Sequence, residues 1–391
     1  MLIGEKKIDR PLRWAMIGGG RTSNVGYKHR SGALRDNTAF SMVAGAFDVD
    51  HARGRDFGVN LGLDAARCYP DYQTMIAEEA KRADGIEVVS IATPNFSHYQ
   101  ITKDCLEAGL HVICEKPLFF EVAQGEEIKA LAERKNLIVG VTYGYSGMQL
   151  LLQMRQMVKN GDLGDIHMLE LAYTHGFACD EIGDQVSEGQ KWRVDPAKAG
   201  SSFVIGDLST HTYYMSRLIC PELELDELLC DRQSFVKSRA PLEDNAYMLL
   251  RYKNGAVGRL WTSAVNAGCM DGHRIRIIGS KASVEFSDQQ PNELVYEIQG
   301  QPPQKLIRGM PYLYDECNAD ERLGALHPEG LVESWSNIYL KFAIAIDAKN
   351  RGDEETLKQL IYPDIDAGIE GIRWITKCVE SADLGGVWVK F

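Results

Sequence analysis

At 391 residues the chain is long for one hydrophobic core and comfortable for two domains. Its 45% hydrophobic and 25% charged residues are those of an ordinary soluble globular protein, and a net charge of −12 without a long Lys/Arg block excludes a nucleic-acid groove or an anionic membrane surface as partner. The nine cysteines are dispersed, with no C-x-x-C and no metal-ligand spacing, which argues against a disulfide framework or structural zinc and for a reducing compartment. MLIGEKKIDRPLRW has no long apolar segment to serve as a signal peptide, and no stretch approaches the roughly 20 apolar residues of a membrane helix. A soluble, acidic, cytoplasmic protein is expected.

From residue 12 to about 143, short apolar runs alternate with helical periodicity. Strands are predicted at Leu12–Ile17, Ser41–Phe47, Glu87–Ala92, His111–Cys114 and Leu137–Thr142. Helices are predicted at Asp71–Lys81, Ser97–Ala108 and Glu121–Arg134, from apolar residues spaced three and four apart. This is the pattern of βαβ units: a doubly wound parallel sheet spanning residues 1–145. Beyond it, a helix at Gln149–Lys159 precedes a region dominated by strands: Ile166–Thr174, Ala246–Tyr252, Val257–Ser263, Arg274–Ile278 and Ser283–Phe286. Hairpin turns are expected at Lys253-Asn254-Gly255 and Gly279-Ser280-Lys281, so residues 146–391 are predicted to form an α+β domain on a large, mostly antiparallel open sheet. Two helices, Gly330–Ala348 and Asp364–Ser381, close the chain, and the proline-containing Gln289–Glu316 reads as a long loop.

Chemistry-bearing residues fall at the ends of these strands. Gly18-Gly19-Gly20 follows the first strand, where glycine lets a turn close and backbone amides approach a pyrophosphate at a helix N-terminus. Ser23 takes the place of the third glycine of G-x-G-x-x-G, with Asn24 and Gly26 beyond it. Asp48 ends the second strand, 28 residues after Gly20, where a carboxylate accepts from ribose hydroxyls and repels a 2′-phosphate, favouring NAD over NADP. Its alternative is to cap the following helix, and Asp50 could take either job. Thr93-Pro94-Asn95 reads as a turn that caps the next helix through Asn95 or Ser97, as a loop lying against a ribose and nicotinamide, or as both at once. His98, on that helix, reads more readily as structural than catalytic. Glu115-Lys116-Pro117 leaves the fourth strand. Proline cannot donate to a ladder and biases Lys116 toward extended geometry, which aims an ammonium at the region where open α/β sheets bind ligands. The plain alternative is a solvated turn. Asp207 and His211, four apart at a predicted helix start, share a face, where a carboxylate can fix an imidazole tautomer for general-base work. An aspartate at a helix start beside an incidental histidine is a second reading, and metal binding a third, for which no further His, Cys or Glu stands at ligand spacing, so no metal is expected.

Together these residues resemble the Gfo/Idh/MocA family of glucose–fructose oxidoreductases and inositol dehydrogenases. The segments that carry the resemblance are AMIGGGRTSNVG, Asp48, IATPNFSH with LEAGLHVICEKPL, KNGDLGDI and KWRVDPAKAGSSFVIGDLSTH. It implies NAD as cofactor, held by Gly18, Gly20, Arg21, Thr22, Ser23, Asn24, Asp48, Thr93, Pro94, Asn95, His98, Glu115 and Lys116. It implies Lys116, Asp207 and His211 as the catalytic set, and Tyr145, Trp192, Arg193 and His327 near a sugar or polyol substrate. It also implies a homodimer or homotetramer built through the C-terminal sheet. Ser201 and Ser202 stand where the family usually has glycines, and Tyr214 where it often has an aspartate. The expected reaction is hydride transfer between nicotinamide and a secondary hydroxyl of an inositol-like cyclitol or a hexopyranoside, with C3 of a glucoside one candidate position. Two rival expectations are an NAD-assisted glycosidase and a non-catalytic NAD-binding ligand sensor.

Overall fold

A computed structural model describes residues 8–35, 38–179, 192–270 and 272–391. The first seven residues of the N-terminal stretch and Lys191 of the KWRVDP segment lie outside them. Five parallel strands, β1 (Leu12–Gly18), β2 (Phe40–Ala46), β3 (Val88–Ala92), β4 (His111–Cys114) and β5 (Val139–Val141), form one sheet in the order β2-β1-β3-β4-β5. Every residue of β3 and β4 is buried, as expected where helices cover both faces of a parallel sheet. The connecting helices are α1 (Asn24–Leu34), α2 (His51–Asn60), α3 (Tyr72–Glu79), α4 (His98–Glu107) and α5 (Val122–Lys135). In this order the chain changes winding direction between β1 and β3. The crevice outside their carboxyl ends is the place where such sheets take ligands.

Residues 335–372 also pack with this N-terminal unit, although they follow the change of pattern near residue 145. Their aromatic side chains explain why. Tyr339 sits 5.5 Å from Phe40 and 6.1 Å from Trp14 between ring centroids. A side chain on Gly140 of β5 would collide with Phe342.

The second unit comprises Tyr145–Ser334 and Arg373–Phe391. After α6 (Gln149–Lys159) come β6 (Ile166–Thr174), α7 (Thr210–Ile219), β7 (Leu225–Gln233), β8 (Asn245–Tyr252), β9 (Val257–Ser263), β10 (Gly272–Gly279), β11 (Ala282–Ser287), β12 (Glu293–Ile298), β13 (Gln304–Ile307) and β14 (Val389–Lys390). Among the described residues, nine strands build one sheet in the order β13-β12-β11-β10-β6-β9-β8-β7-β14, in which only β6 and β9 run parallel. Both expected hairpins form, joining β8 to β9 and β10 to β11. The Gln289–Glu316 stretch departs from its reading as a loop, because it holds β12 and β13, and Pro302-Pro303 sit in the turn between them. β7 gave no clear period-two signal, since its pairing slips between Leu225 and Glu227 and breaks the alternation. The long helices α8 (Leu331–Arg351) and α9 (Ile365–Asp383) end the chain.

Candidate active site

The glycine cluster forms the turn that a dinucleotide loop requires. Gly18 has φ +74°, and a Cβ there would lie 2.6 Å from the Ala92 carbonyl. Gly19 donates its amide to that same carbonyl at 3.1 Å, so the loop is drawn against the end of β3. A Cβ on Gly26 would collide with the Gly19 backbone, which makes Gly26 the residue that lets α1 approach the loop. Ser23, in place of the third motif glycine, caps α1 by accepting the Gly26 amide at 3.2 Å. Asn24 and Thr22 are exposed at the mouth of the loop, and Arg21 pairs with Asp56 at 2.7 Å.

The two readings of the β2 end separate cleanly. Asp50 caps α2 through the Arg53 amide, which leaves Asp48 outside the cap. Asp48 Oδ1 accepts from the Asp50 amide and from the Arg53 guanidinium, each at 2.9 Å. Partial burial opposes its charge, yet these donors outweigh the burial and hold the carboxyl below its ordinary range.

After β3, Pro94 precedes a short helical turn at Asn95–Ser97, with Asn95 buried. Ser97 supplies no cap, because its hydroxyl bonds Thr93 Oγ1 and the Pro94 carbonyl instead. His98 is fully buried, with Nε2 against the Thr93 carbonyl (2.9 Å) and Nδ1 against the Pro117 carbonyl (3.0 Å). Both ring nitrogens are thus engaged by backbone. The residue ties the β3 loop to the β4 loop. Lys116 and Glu115, at the end of β4, are both buried. The Glu115 carboxylate faces inward, 3.1 Å from His29 Nε2 and hydrogen-bonded by Thr142.

In the second unit Asp207 lies not on a regular helix start but on one widened turn of π spacing, Ile205–Ser209, which leads into α7. Glu243, just ahead of β8, builds that turn. Its Oε1 accepts from Ser202 Oγ (2.6 Å), the Phe203 amide (3.0 Å) and the Ile205 amide (2.9 Å). Ser202 Oγ accepts the Gly206 amide in turn at 2.9 Å, so the serine that departs from the family pattern has a defined job. Burial pushes the Glu243 carboxyl up, against these donors and Arg232. Asp207 Oδ2 lies 4.0 Å from Arg193 Nε, and the Arg193 guanidinium sits 4.7 Å over the Trp192 ring. Arg193 therefore stands beside Asp207, with the Trp192 ring against its guanidinium.

His211 is buried and meets the Tyr145 ring edge-on at 5.0 Å. Tyr145 bonds Tyr173 hydroxyl to hydroxyl at 2.9 Å, and both rings pack on His273, whose Nδ1 lies 2.9 Å from Thr212 Oγ1. Tyr173 and His273 escaped the sequence reading. They meet because β6 and β10 pair in that register, and no local spacing encodes a pairing across a hundred residues. A cavity of about 260 Å³ opens beside them, lined among others by Tyr145, Tyr173, His175 and Asp288. Burial pushes the His175 imidazole down, which favours its neutral form. His327 is exposed on a loop whose backbone is anchored by the buried Arg308, which also pairs with Glu329 at 3.0 Å.

Among the described residues no cluster of His, Cys, Asp and Glu could hold a metal ion, and no helix is long and apolar enough to cross a membrane. None of the nine cysteines forms a disulfide.

A parallel sheet with a glycine turn at its crossover point and an acid ending β2 defines a dinucleotide-binding protein with an added α+β domain. Comparison with known proteins agrees. A family model described as the oxidoreductase family, NAD-binding Rossmann fold, matches residues 12–143, and the C-terminal alpha/beta domain of the same family matches residues 155–391. The chain belongs to the Gfo/Idh/MocA oxidoreductase family, and its cofactor is NAD. It is 72% identical over the full length of both chains to the uncharacterized oxidoreductase YfiI of Bacillus subtilis (strain 168). It is also similar to an inositol dehydrogenase homolog from Azotobacter vinelandii. The crystal structure of that protein with NAD+ shows 56% identity and a TM-score of 0.98, with all of both chains covered. Its complex with NADH and myo-inositol gives 55% and 0.95, again over all of both chains.

Proposed function

We propose that this chain is an NAD-dependent dehydrogenase acting on a secondary hydroxyl of a neutral cyclitol or sugar, with an inositol as the first candidate. The observation that carries this reading is full-length likeness to a protein solved with NADH and myo-inositol, joined to a buried lysine at the carboxyl end of β4. The glycine loop fits the cofactor because its turn leaves no room for side chains where a pyrophosphate must approach. In this reading the amides of Gly18–Gly20 and the start of α1 hold the pyrophosphate, Asp48 holds the ribose, and Thr93–Asn95 and Lys116 flank the nicotinamide. Bound NAD supplies the hydride acceptor.

The protein's own residues handle the proton and the developing charge. His211 takes the hydroxyl proton, and Asp207 orients its ring. Lys116 donates a hydrogen bond to the same oxygen and stabilises it as charge develops. Tyr145, Tyr173 and Trp192 offer ring faces and hydroxyls suited to a polyol without phosphate. The chain works as a homodimer or homotetramer through the outer face of the nine-stranded sheet, in the cytoplasm. Exposed Met168, Tyr247, Leu249 and Val257 on that face support the assembly, and nine cysteines outside any disulfide support the compartment.

The test is absorbance at 340 nm with NAD and a panel of inositols, hexoses and glucosides. NADH should appear with one compound class. Lys116→Ala should lower turnover about 10²-fold or more while NADH affinity stays within a few-fold. Loss of NADH binding in that variant would remove Lys116 from the catalytic set.

A further inference from the structure

Beneath Lys116 lies a chain of buried polar groups that the proposed chemistry does not use. Trp14 Nε1 donates to Ser90 Oγ at 2.9 Å, and Ser90 Oγ is 2.8 Å from the Tyr339 hydroxyl. The Tyr339 hydroxyl is 2.5 Å from His29 Nδ1, and His29 Nε2 is 3.1 Å from Glu115. Trp14, Ser90, His29 and Tyr339 are completely shielded from solvent. The five residues come from five elements: β1, β3, α8, α1 and the end of β4.

The two ends fix the direction of the chain. An indole can only donate, and an ionised carboxylate can only accept. With His29 protonated on Nε2, the links run in one sense: Trp14 to Ser90, Ser90 to Tyr339 and Tyr339 to His29 Nδ1 as hydrogen bonds, and His29 Nε2 against Glu115 as a 3.1 Å polar pair outside hydrogen-bond alignment. Aligned hydrogen bonds of this kind polarise one another in a low-dielectric interior. Thr142 adds a further donor to the same carboxylate. Burial opposes the Glu115 charge, but His29, Lys116 and Thr142 together keep the carboxyl below its ordinary range. The other titratable neighbours whose charges it influences are His98, Tyr339 and Cys114.

We propose that Glu115 is the positioning residue for Lys116 rather than a cofactor ligand, and that the chain from Trp14 through His29 holds its carboxylate in place. The carboxylate is turned into the unit, where it anchors the strand end from which Lys116 projects and supplies a fixed counter-charge. A lysine on a flexible four-carbon stem gains most from such an anchor. The inference rests on the catalytic assignment of Lys116.

The experiment uses Glu115→Gln, Tyr339→Phe, His29→Leu and His29→Gln in the full-length protein. It reads kcat and KM, NADH affinity by fluorescence, and the rate at which an amine-selective acylating reagent labels Lys116, followed by mass spectrometry. Glutamine at position 29 can still accept from Tyr339 and donate to Glu115, so it is the conservative rescue. The expected result for Glu115→Gln and His29→Leu is at least a tenfold fall in kcat, a several-fold change in Lys116 labelling and NADH affinity within threefold. His29→Gln should recover most of both readouts, and Tyr339→Phe should shift them in the same direction by less. NADH affinity falling in step with kcat in Glu115→Gln would make Glu115 a cofactor ligand and overturn the proposal. Wild-type labelling in His29→Leu and Tyr339→Phe would overturn the chain. If no polyol is turned over by the wild type, the dehydrogenase reading fails, and the labelling rates still decide the positioning role.

Discussion

In the proposed reading, Asp48 is the side chain on which the choice between NAD and NADP turns. It ends β2 with its carboxylate held ionised by Arg53 and the Asp50 amide, so a 2′-phosphate would meet a fixed negative charge. Replacing it by serine removes the repulsion and leaves the exposed Arg53 guanidinium available to the phosphate. In Asp48→Ser the ratio of kcat/KM for NAD over NADP should fall at least about tenfold, or about 1.4 kcal/mol. An unchanged ratio would place the discrimination elsewhere. His111 gives a stability prediction. Its Nδ1 accepts the Ile138 amide at 3.0 Å, Nε2 meets Asn350 at 3.1 Å, and burial pushes the imidazole down to about 4 from an ordinary 6.5. The unfolded chain therefore takes up a proton first as pH falls. Stability is complete above about pH 6.5 and declines toward pH 4, by about 3 kcal/mol. Denaturant unfolding of the wild type should show this slope, and His111→Asn should flatten it. At this scale the sequence displayed residues whose meaning is local: the glycines, the strand-end acid, and the lysine before proline. Asp48 and Asp50 could not be told apart, because two residues separate a capping geometry from a strand end and both positions read alike.

At the level of elements, the turn that carries Asp207 depends on a residue 36 positions away. Glu243 gathers three donors from the Ser202–Ile205 segment, and Trp374 of α9 donates to Ser209 Oγ at 2.8 Å from another side. A widened turn held this way is an imposed conformation, and the periodicity of GDLSTHTYYMSRLI signalled only a helix. Glu243→Ala leaves three buried donors unmet, each worth about 1–3 kcal/mol. The variant should melt several degrees lower, and its folded fraction should lose kcat while NADH affinity is kept. Glu243→Gln retains an acceptor oxygen and should fall between. A variant with a lowered melting temperature and wild-type kcat would show that the turn can form without its anchor. The strands that sequence reading did find in this sheet, β6 and β8 to β11, carry apolar runs, and four of them flank the two hairpin turns whose glycines mark them. The ones it missed are β7, β12 and β13, which have a slipped register or prolines at their connection, and the two-residue β14; only pairing with a neighbour makes them strands.

At the scale of the molecule, the nine-stranded sheet poses a question that its own unit leaves open. From Ala246 onward β8 alternates, with Met248 and Leu250 buried and Tyr247, Leu249 and Arg251 facing out. On the outward face Tyr247 stacks on Trp261 at 5.7 Å, and Val257 stands beside Met168 in the β6–β9 register. Charged pairs cross the same face, Arg259 with Glu170 and Arg274 with Glu285. Tyr247 and Leu249 are about half exposed (50% and 47%), which is costly for large apolar side chains on a broad, flat sheet. A second copy related by a two-fold axis would cover such a face with its own equivalent, placing apolar strip on apolar strip and matching the charge pairs around it. A stable contact of this kind buries on the order of 1,600 Å², an area that a face of several strands can supply. The wild-type protein should therefore sediment as a dimer or tetramer at micromolar concentration. Tyr247→Lys combined with Leu249→Glu should shift it to a smaller species that keeps its helix and strand content, because both side chains leave the fold's interior untouched. A wild type that sediments as a monomer would leave the outward aromatic pair without an assembly role. A double variant that keeps the wild-type mass would move the interface to another surface.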